Sequence, residues 1–237
     1  KVCGPKAIDY TMQPAHLEIE AKTVIVATGF NLFKPADKPQ YGYGINKNVI
    51  DALQMDRLIA PTRPYNSIVR PGDGKIPEKI AYILCAGSRD ISIENTSTCS
   101  SGCTNNPICS QICCMYSIKQ AQLLMGALPM ADITIYYMDI RAFGKGYEEF
   151  YLEAKSMGVS FVKGKVAKIT PKNDLNGNLV LRYEDVTTGV LKESTHDLVV
   201  LSVGVVPNNS IAQVFTENPL QLDSLKFIRQ VDEQLSP

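Results

Sequence analysis

The sequence predicts an α/β fold, and three observations support this prediction. From residue 79 onward, apolar runs of strand length alternate with segments whose apolar residues have helical spacing. The strand-like run Lys79–Leu84 is followed by a turn and then by a helix-like segment, Ser110–Leu128. A buried final strand, Leu198–Ser202, leads into a Gly-Val-Val-Pro-Asn turn. This order is typical of a Rossmann-like, NAD-type nucleotide-binding domain.

The remaining elements follow the same reasoning along the chain. Leu17–Phe30 is predicted as a strand that ends in a turn of small residues, and residues 31–78 are rich in loops, with a short helix at Val49–Leu58. After residue 110 the pattern alternates again. The predicted elements are a strand Asp132–Met138, a helix Gly146–Met157, a strand Val159–Val162 and a hairpin or meander over Val166–Lys192.

Composition excludes some classes of function. The 24 basic and 24 acidic residues give a formal net charge of zero, and no basic run stands out, so nothing indicates a nucleic-acid partner. The longest apolar runs, such as Leu198–Val206, are too short to span a bilayer. The sequence starts at Lys1 with no initiator Met and no charged-then-apolar leader, and we expect a fragment of a longer protein.

The cysteines are the most informative residues of the sequence. Five of the seven crowd together after Cys85, in the turn that would carry the glycine fingerprint of a dinucleotide-binding fold. These five are Cys99, Cys103, Cys109, Cys113 and Cys114. An odd count and an adjacent pair do not suit a secreted disulfide scaffold. We therefore expect a reducing cytosol and a bound metal or cluster, with a redox or structural disulfide set as the alternative.

Two strand ends carry small residues that would let a bound cofactor approach the backbone closely. The candidate cofactor-binding residues are Ala27, Thr28 and Gly29 at the first strand end, and Gly204, Pro207 and Asn208 at the second. Each motif alone fits a buried strand ending in glycine equally well. Together they bracket an α/β unit, as the crossover strands do in disulfide-reductase-like flavoproteins, whose NAD-like domain is inserted into the FAD domain.

Three longer motifs carry a more specific signal. They cover residues 85–90, 109–121 and 136–150 and read CAGSRD, CSQICCMYSIKQA and YYMDIRAFGKGYEEF. Together they resemble the A subunit of heterodisulfide reductase and the related flavoprotein subunits of the quinone-interacting membrane-bound oxidoreductase. The resemblance covers nearly the whole chain. It implies an oxidoreductase component of the iron–sulfur flavoprotein type, which transfers electrons between FAD and [4Fe–4S] clusters.

The resemblance also implies roles for individual residues. Cys85, Cys109, Cys113 and Cys114 would hold one [4Fe–4S] cluster, and four thiolates meet its ligand count. Cys109 and Cys113 are four residues apart and would face one way from the start of the predicted helix, whose N-terminus would favour the anionic cluster. Lys119 would take a catalytic role by pointing at the flavin ring and stabilising its reduced anion. The alternative for this residue is a solvated helix lysine.

Some residues keep more than one interpretation. Cys99 and Cys103 are spare thiols, a disulfide or alternative ligands, while Cys3 resembles the last cysteine of a ferredoxin motif and has no partners in this sequence. Asp139 either grips a ribose hydroxyl, as in an NAD site, or pairs with Arg141. The two histidines, His16 and His196, show no ligand spacing, and we expect them at the surface.

The resemblance implies three parts of the chain and a set of partners. Residues 1–78 would be a partial FAD-domain segment, residues 79–203 the Rossmann-like domain with the cysteines, and residues 204–237 a return towards the FAD domain. Partners would be other subunits of a heterodisulfide reductase-like or quinone-interacting complex, with a homodimer left open. We expect a cytoplasmic location, weak FAD binding and an isolated fragment without activity.

Two other classes of function remain open at this point. One is a pyridine-nucleotide disulfide oxidoreductase with a redox-active dithiol, against which the missing glycine fingerprint counts. The other is a non-catalytic module stabilised by zinc, against which the absence of paired Cys-x-x-Cys motifs counts.

Overall fold

A computed structural model of the chain describes residues 4–5, 7–91, 106–208 and 220–229. The described strands are β1 (Phe30–Leu32), β2 (Val49–Asp51), β3 (Lys79–Ala86), β4 (Asp132–Tyr137), β5 (Ser160–Pro171), β6 (Leu179–Asp185), β7 (Val190–His196), β8 (Leu198–Val203) and β9 (Val205–Pro207). The described α-helices are α1 (Ala52–Ile59), α2 (Cys113–Ala127) and α3 (Tyr147–Ser156). None of these helices is long and apolar enough to cross a bilayer.

A seven-stranded sheet in the order β2-β8-β3-β4-β5-β6-β7 organises the structure. Its first five strands are parallel, whereas β6 and β7 extend it as an antiparallel meander. The central strands β3 and β8 read KIAYILCA and LVVLSV, which are the near-continuous apolar runs of strands buried on both faces. The carboxyl ends of the parallel strands therefore lie along one edge of the sheet, and the candidate site lies at this edge.

Each face of the sheet has its own hydrophobic core because successive strand residues point to opposite faces. On one face, Tyr82 of β3 and Val200 of β8 pack among residues of all three helices, including Ile118 of α2. On the other face, Ile83 and Leu201 pack among residues of β5 and β6. This arrangement confirms the predicted α/β, Rossmann-like class.

Two predicted helices begin later than expected. Val49–Asp51 is strand β2, and the helix starts at Ala52 because Asp51 caps it. The Asp51 carboxylate accepts a hydrogen bond from the Gln54 backbone N–H at 2.8 Å, and the Gln54 side chain accepts one from Asp51 N–H at 3.0 Å. Helix α2 starts at Cys113 rather than at residue 110, because Gln111 has a left-handed φ of 58° that a helix cannot include.

The predicted strand Leu17–Phe30 is wrong over most of its length. Within the described part of the chain only Phe30–Leu32 forms a strand there, through antiparallel pairing with β9. Val24 and Ile25 are 66% and 88% exposed. An apolar run becomes a strand only when a neighbouring strand pairs with it and covers one face.

The meander corrects two further predictions. The predicted strand Val159–Val162 does not stop at Val162 but continues as β5 to Pro171, so that it also forms the first strand of the meander. His196 is only 5% exposed, and its expected surface position is wrong. The predicted domain boundary at residue 79 stays a prediction. Strand β2 precedes that boundary in the sequence, yet it pairs with β8 and forms the edge of the same sheet.

Candidate functional site

The four cysteines predicted as metal ligands line one cavity at the carboxyl edge of the sheet. Cys85 is supplied by β3, Cys109 by the segment before α2, and Cys113 and Cys114 by the first turn of α2. All four are free thiols. No three His, Cys, Asp or Glu side chains in the described ranges lie close enough to hold a single metal ion. A cluster of several metal ions needs thiols around one cavity rather than around one ion, and the four cysteines that line this cavity meet that need.

The backbone is irregular at Cys85, the first of the four cysteines that line the cavity. Cys85 has a left-handed φ of 58°, and the pairing of β3 with β8 shifts register between Ile83 and Ala86. Such an irregularity re-aims a side chain at the end of a strand. A non-glycine residue in this conformation is strained and persists only where the surrounding structure holds it, often at a functional site.

Backbone donors reach two of the thiols, and helix α2 begins beside them. The N-cap residue Ile112 makes no side-chain cap, so the first-turn amides are not satisfied by a capping side chain. The Gln111 backbone N–H donates to Cys109 Sγ at 3.4 Å, and the Arg141 backbone N–H donates to Cys114 Sγ at 3.5 Å. Donors at sulfur and a helix N-terminus both favour an anionic thiolate or cluster.

Burial and mutual repulsion favour the protonated form of Cys85, Cys113 and Cys114 in the absence of a cation. Burial, followed by the charges of Cys113 and Cys114, raises the pKa of Cys85 to about 12. Burial raises the pKa of Cys113 to about 11 and also raises the pKa of Cys114. A metal ligand must be a thiolate, and a bound cation reverses this preference. The donor set thus fits a group that brings its own positive charge.

Asp139 lies beside the same cavity, and its carboxylate is shared by two arginines. Arg89 pairs with Asp139 Oδ1, and Arg141 Nε lies 3.4 Å from Asp139 Oδ2. The predicted pairing of Asp139 with Arg141 is therefore confirmed.

A polar network holds the turn after β3 against the segment that carries Cys109. Ser88 Oγ donates to the Ile108 carbonyl oxygen at 2.9 Å, and Ser110 N–H donates to Ser88 Oγ at 3.2 Å. Ser110 Oγ in turn accepts from Val205 N–H at 2.8 Å. These bonds connect the end of β3, the segment before α2 and the start of β9, so the position of Cys109 depends on all three.

The predicted cofactor-binding residues divide into two groups. Thr28, Gly29, Pro207 and Asn208 line an open groove of about 890 Å³, and Asn208 Nδ2 donates to the Thr28 carbonyl oxygen at 3.2 Å. Ala27 is exposed and is not among the residues that line it. The structure therefore brings together four of the six residues that the two strand ends suggested.

Gly204 belongs to the packing around the cysteines rather than to this groove. It is buried, and a Cβ atom at this position would lie 2.7 Å from the Gly87 carbonyl oxygen and 2.7 Å from Ser88 Cβ. Only glycine allows the two backbones to approach this closely.

Comparison with curated proteins identifies the family, although no family model matches the chain. The sequence is 38% identical over its whole length to the A subunit of the H(2):CoB-CoM heterodisulfide,ferredoxin reductase of Methanothermobacter thermautotrophicus. It is 43% identical, over 86% of the chain, to the second iron-sulfur A subunit of the CoB--CoM heterodisulfide reductase of Methanopyrus kandleri. The chain belongs to the family of heterodisulfide reductase A subunits.

The chain covers only part of these A subunits. It spans 34% of the Methanothermobacter protein and 30% of the Methanopyrus protein, which is about a third of each. Among solved structures, thioredoxin reductase of Lactococcus lactis covers 87% of the chain at 15% identity, with a TM-score of 0.48 and 50% of that protein matched. This structural likeness is too weak to support an argument about function.

The remaining residues singled out from the motifs of the A subunits have different positions. Lys119 is exposed on α2 and lines neither the cysteine cavity nor the groove, so its role at the flavin stays a prediction. Cys3, Cys99 and Cys103 lie outside the described residues.

Sequence reasoning missed Tyr116, whose hydroxyl donates to the Val203 carbonyl oxygen at 3.0 Å. The Cys113 thiol donates to the same oxygen at 3.5 Å, and the Tyr116 hydroxyl also contacts that thiol. The spacing of three between Cys113 and Tyr116 places both on one side of a helix and could have indicated this contact.

Proposed function

We propose that this chain is the part of a heterodisulfide reductase A subunit that holds a [4Fe–4S] cluster beside FAD, so that electrons pass between the two. The observation that carries this proposal is the convergence of four thiols in one cavity at the start of α2. Family membership and the names of the relatives, one of which is called an iron–sulfur subunit, support the same interpretation. The activity is that of an oxidoreductase subunit.

The proposed ligands are Cys85, Cys109, Cys113 and Cys114. Their number meets the ligand requirement of a [4Fe–4S] cluster, which supplies a one-electron carrier when it is bound. The chain contributes the thiolates, the backbone donors at two of the sulfurs and the helix N-terminus. Cys113 and Cys114 lie away from bulk solvent, since they are 5% and 6% exposed, whereas Cys85 and Cys109 are partly exposed.

The groove lined by Thr28, Gly29, Pro207 and Asn208 is the proposed contact with FAD. Its volume of about 890 Å³ lies within the range of small-molecule sites. Lys226 and Arg229 also line it and bring positive charge for an anionic ligand. Ala27 and Gly204 remain weaker candidates, and Lys119 remains the proposed residue at the flavin ring.

Other subunits of a heterodisulfide reductase-like or quinone-interacting complex are the proposed partners, in the cytoplasm or at the inner face of the membrane. Several relatives carry the names of reductase complexes that also act on ferredoxin, which supports a place in an electron-transfer assembly. A homodimer stays an open arrangement.

The proposal is tested by purifying the protein without oxygen, reconstituting it with iron and sulfide, and measuring iron content and the EPR spectrum after reduction with dithionite. We expect about four irons per chain and the signal of a reduced [4Fe–4S] cluster. Cys113→Ser should lose that signal, because it removes a ligand from the cavity.

Matched controls separate the proposed ligands from the other thiols. Cys99→Ser and Cys103→Ser should keep the iron and the signal if the ligand set is the one proposed. One zinc ion without iron would indicate the structural zinc module instead. A reversible dithiol that titrates with NAD(P)H, with flavin but no iron, would indicate the pyridine-nucleotide disulfide oxidoreductase.

A further inference from the structure

Two arginines and one aspartate meet at the cavity of the cysteines. Arg89 follows the end of β3, and Asp139 and Arg141 follow the end of β4, so the parallel pairing of these strands brings them to one edge of the sheet. All three line the same cavity as the thiols. Their side chains are partly buried, with exposed fractions of 27%, 45% and 35% for Arg89, Asp139 and Arg141.

The contacts of this group place its charges next to the thiols. The Arg141 backbone N–H donates to Cys114 Sγ at 3.5 Å, and the Cys114 thiol lies 3.9 Å from the Asp139 carbonyl oxygen. Arg89 lies in the turn that follows Cys85 and lines the cavity together with all four cysteines. Opposing charges of the chain therefore lie beside the proposed cluster ligands.

We propose that Arg89, Asp139 and Arg141 form a charge-balancing triad that sets the reduction potential of the cluster held by the four cysteines. This inference rests on the proposed function. Reduction adds one electron, and hence one negative charge, to an already anionic cluster, and no bond is formed or broken. A neighbouring cation stabilises the reduced form and raises the potential, whereas a neighbouring anion lowers it.

The triad predicts opposite shifts of the reduction potential when an arginine or the aspartate is replaced. The triad has a net charge of +1, and Asp139 both offsets positive charge and holds the two guanidinium groups beside the thiols. Removal of a guanidinium should lower the potential, and removal of the carboxylate charge should raise it. A purely structural role would give no such reversal of sign.

The test is an EPR-monitored redox titration of the anaerobically reconstituted protein. Arg141→Gln should shift the oxidised-to-reduced ratio at a fixed poise by on the order of tenfold towards the oxidised form, which is about 59 mV for a one-electron couple. Asp139→Asn should shift the ratio towards the reduced form. The double variant, which restores the net charge, should return close to the unaltered protein.

Two controls separate charge from geometry. Arg141→Lys keeps the charge and should keep most of the potential. Arg182→Gln removes a positive charge from an exposed position on β6, outside the cavity lining, and should leave the potential unchanged.

Iron content separates failure of this inference from failure of the proposed function. Four irons and a cluster signal, with potentials that do not move or that move in the same direction in both single variants, would overturn the triad and leave the cluster in place. If Arg141→Gln does not retain iron, Arg89→Gln takes its place in the comparison. Loss of iron from both Arg141→Gln and Arg89→Gln would assign the triad a structural role and overturn the inference. Absence of iron from the unaltered protein would contradict the proposed function itself.

Discussion

The side-chain amide of Asn106 donates to the carbonyl oxygen of Gly87 at 2.8 Å and thereby fastens the segment before Cys109 to the turn after β3. The same amide donates to the Val205 carbonyl oxygen at 3.0 Å, and Asn106 is only 5% exposed. Three segments that are far apart in the sequence thus meet at one buried side chain. The position of the cysteine cavity depends on this contact because Cys109 lies three residues further along the chain.

Replacement of Asn106 tests this dependence. Asn106→Ala leaves one buried and one partly buried carbonyl oxygen without their donor, and we expect the free energy of unfolding to fall by about 2–3 kcal/mol. Urea unfolding measures the change. Asn176→Ala, in the exposed turn between β5 and β6, is the matched control and should be nearly neutral. Equal effects of the two substitutions would show that Asn106 does not hold the turn.

Two tyrosines, the partly buried Tyr116 and the buried Tyr82, should respond in opposite directions to loss of the hydroxyl group. The Tyr116 hydroxyl donates to the Val203 carbonyl oxygen, so Tyr116→Phe should lower the free energy of unfolding by about 1 kcal/mol. Tyr82 is fully buried, and its hydroxyl has no partner among the described residues. Tyr82→Phe should therefore raise the free energy of unfolding by roughly 1 kcal/mol. Urea unfolding of both variants checks the pair, and a loss of stability in Tyr82→Phe would contradict the assignment.

Gly204 should be required for packing. Gly204→Ala introduces a Cβ atom 2.7 Å from the Gly87 carbonyl oxygen, and we expect a loss of about 1–3 kcal/mol in urea unfolding. Gly126→Ala is the control, since the added methyl group in α2 meets no atom within 4 Å and alanine favours the helix. That variant should gain up to about 1 kcal/mol. Unchanged stability of Gly204→Ala with weaker flavin binding would instead support the cofactor role that the sequence suggested.

Stability should fall between pH 7 and pH 5 because of His196. Burial lowers the pKa of this imidazole from an ordinary value near 6.5 to about 4. At a pH between the folded pKa and the unfolded pKa, the imidazole of the unfolded chain takes up a proton that the folded protein does not. The contribution of His196 to stability is therefore present above the unfolded pKa and is lost as the pH falls. The loss between pH 7 and pH 5 should be about 2 kcal/mol.

Urea unfolding across this range measures the effect, with His196→Gln and His16→Gln as a matched pair. The first substitution should remove most of the pH dependence between pH 7 and pH 5. The second changes an exposed residue and should preserve it. An unaltered slope in His196→Gln would contradict the role of His196.

Strand and helix order could be read from the sequence because each element carries a local signal. The apolar runs at β3 and β8 require burial on both faces, and the spacing within α2 is helical. Predictions of strands and helix starts were wrong where a contact with another residue decides the local structure. The apolar run from Leu17 to Gly29 has the composition of a strand, yet within the described residues pairing with β9 begins only at Phe30. Helix α1 begins at Ala52 rather than at Val49 because Asp51 caps it, and hydrophobic periodicity does not reveal such a cap.

The candidate site shows the same division. The family resemblance carried by the three motifs implied that these four thiols form one group, without knowledge of the fold. The partners of those thiols come from elsewhere in the chain, as with the backbone N–H of Arg141 at Cys114 and the Val203 carbonyl oxygen at Cys113. Sequence reasoning had no means to assign these contacts, because sequence separation says little about neighbours at the edge of a parallel sheet.

Alternation of strand-like and helix-like segments was enough to predict the fold class, and the resemblance of three motifs indicated the family and the candidate thiols, because these patterns are local properties of the chain. The packing of Gly204 against the turn after β3, the burial of His196 and the sharing of Asp139 by two arginines became visible in the folded chain alone. These outcomes depend on parallel strands that bring distant residues to one edge of the sheet, where burial and charge act between groups that no local pattern connects.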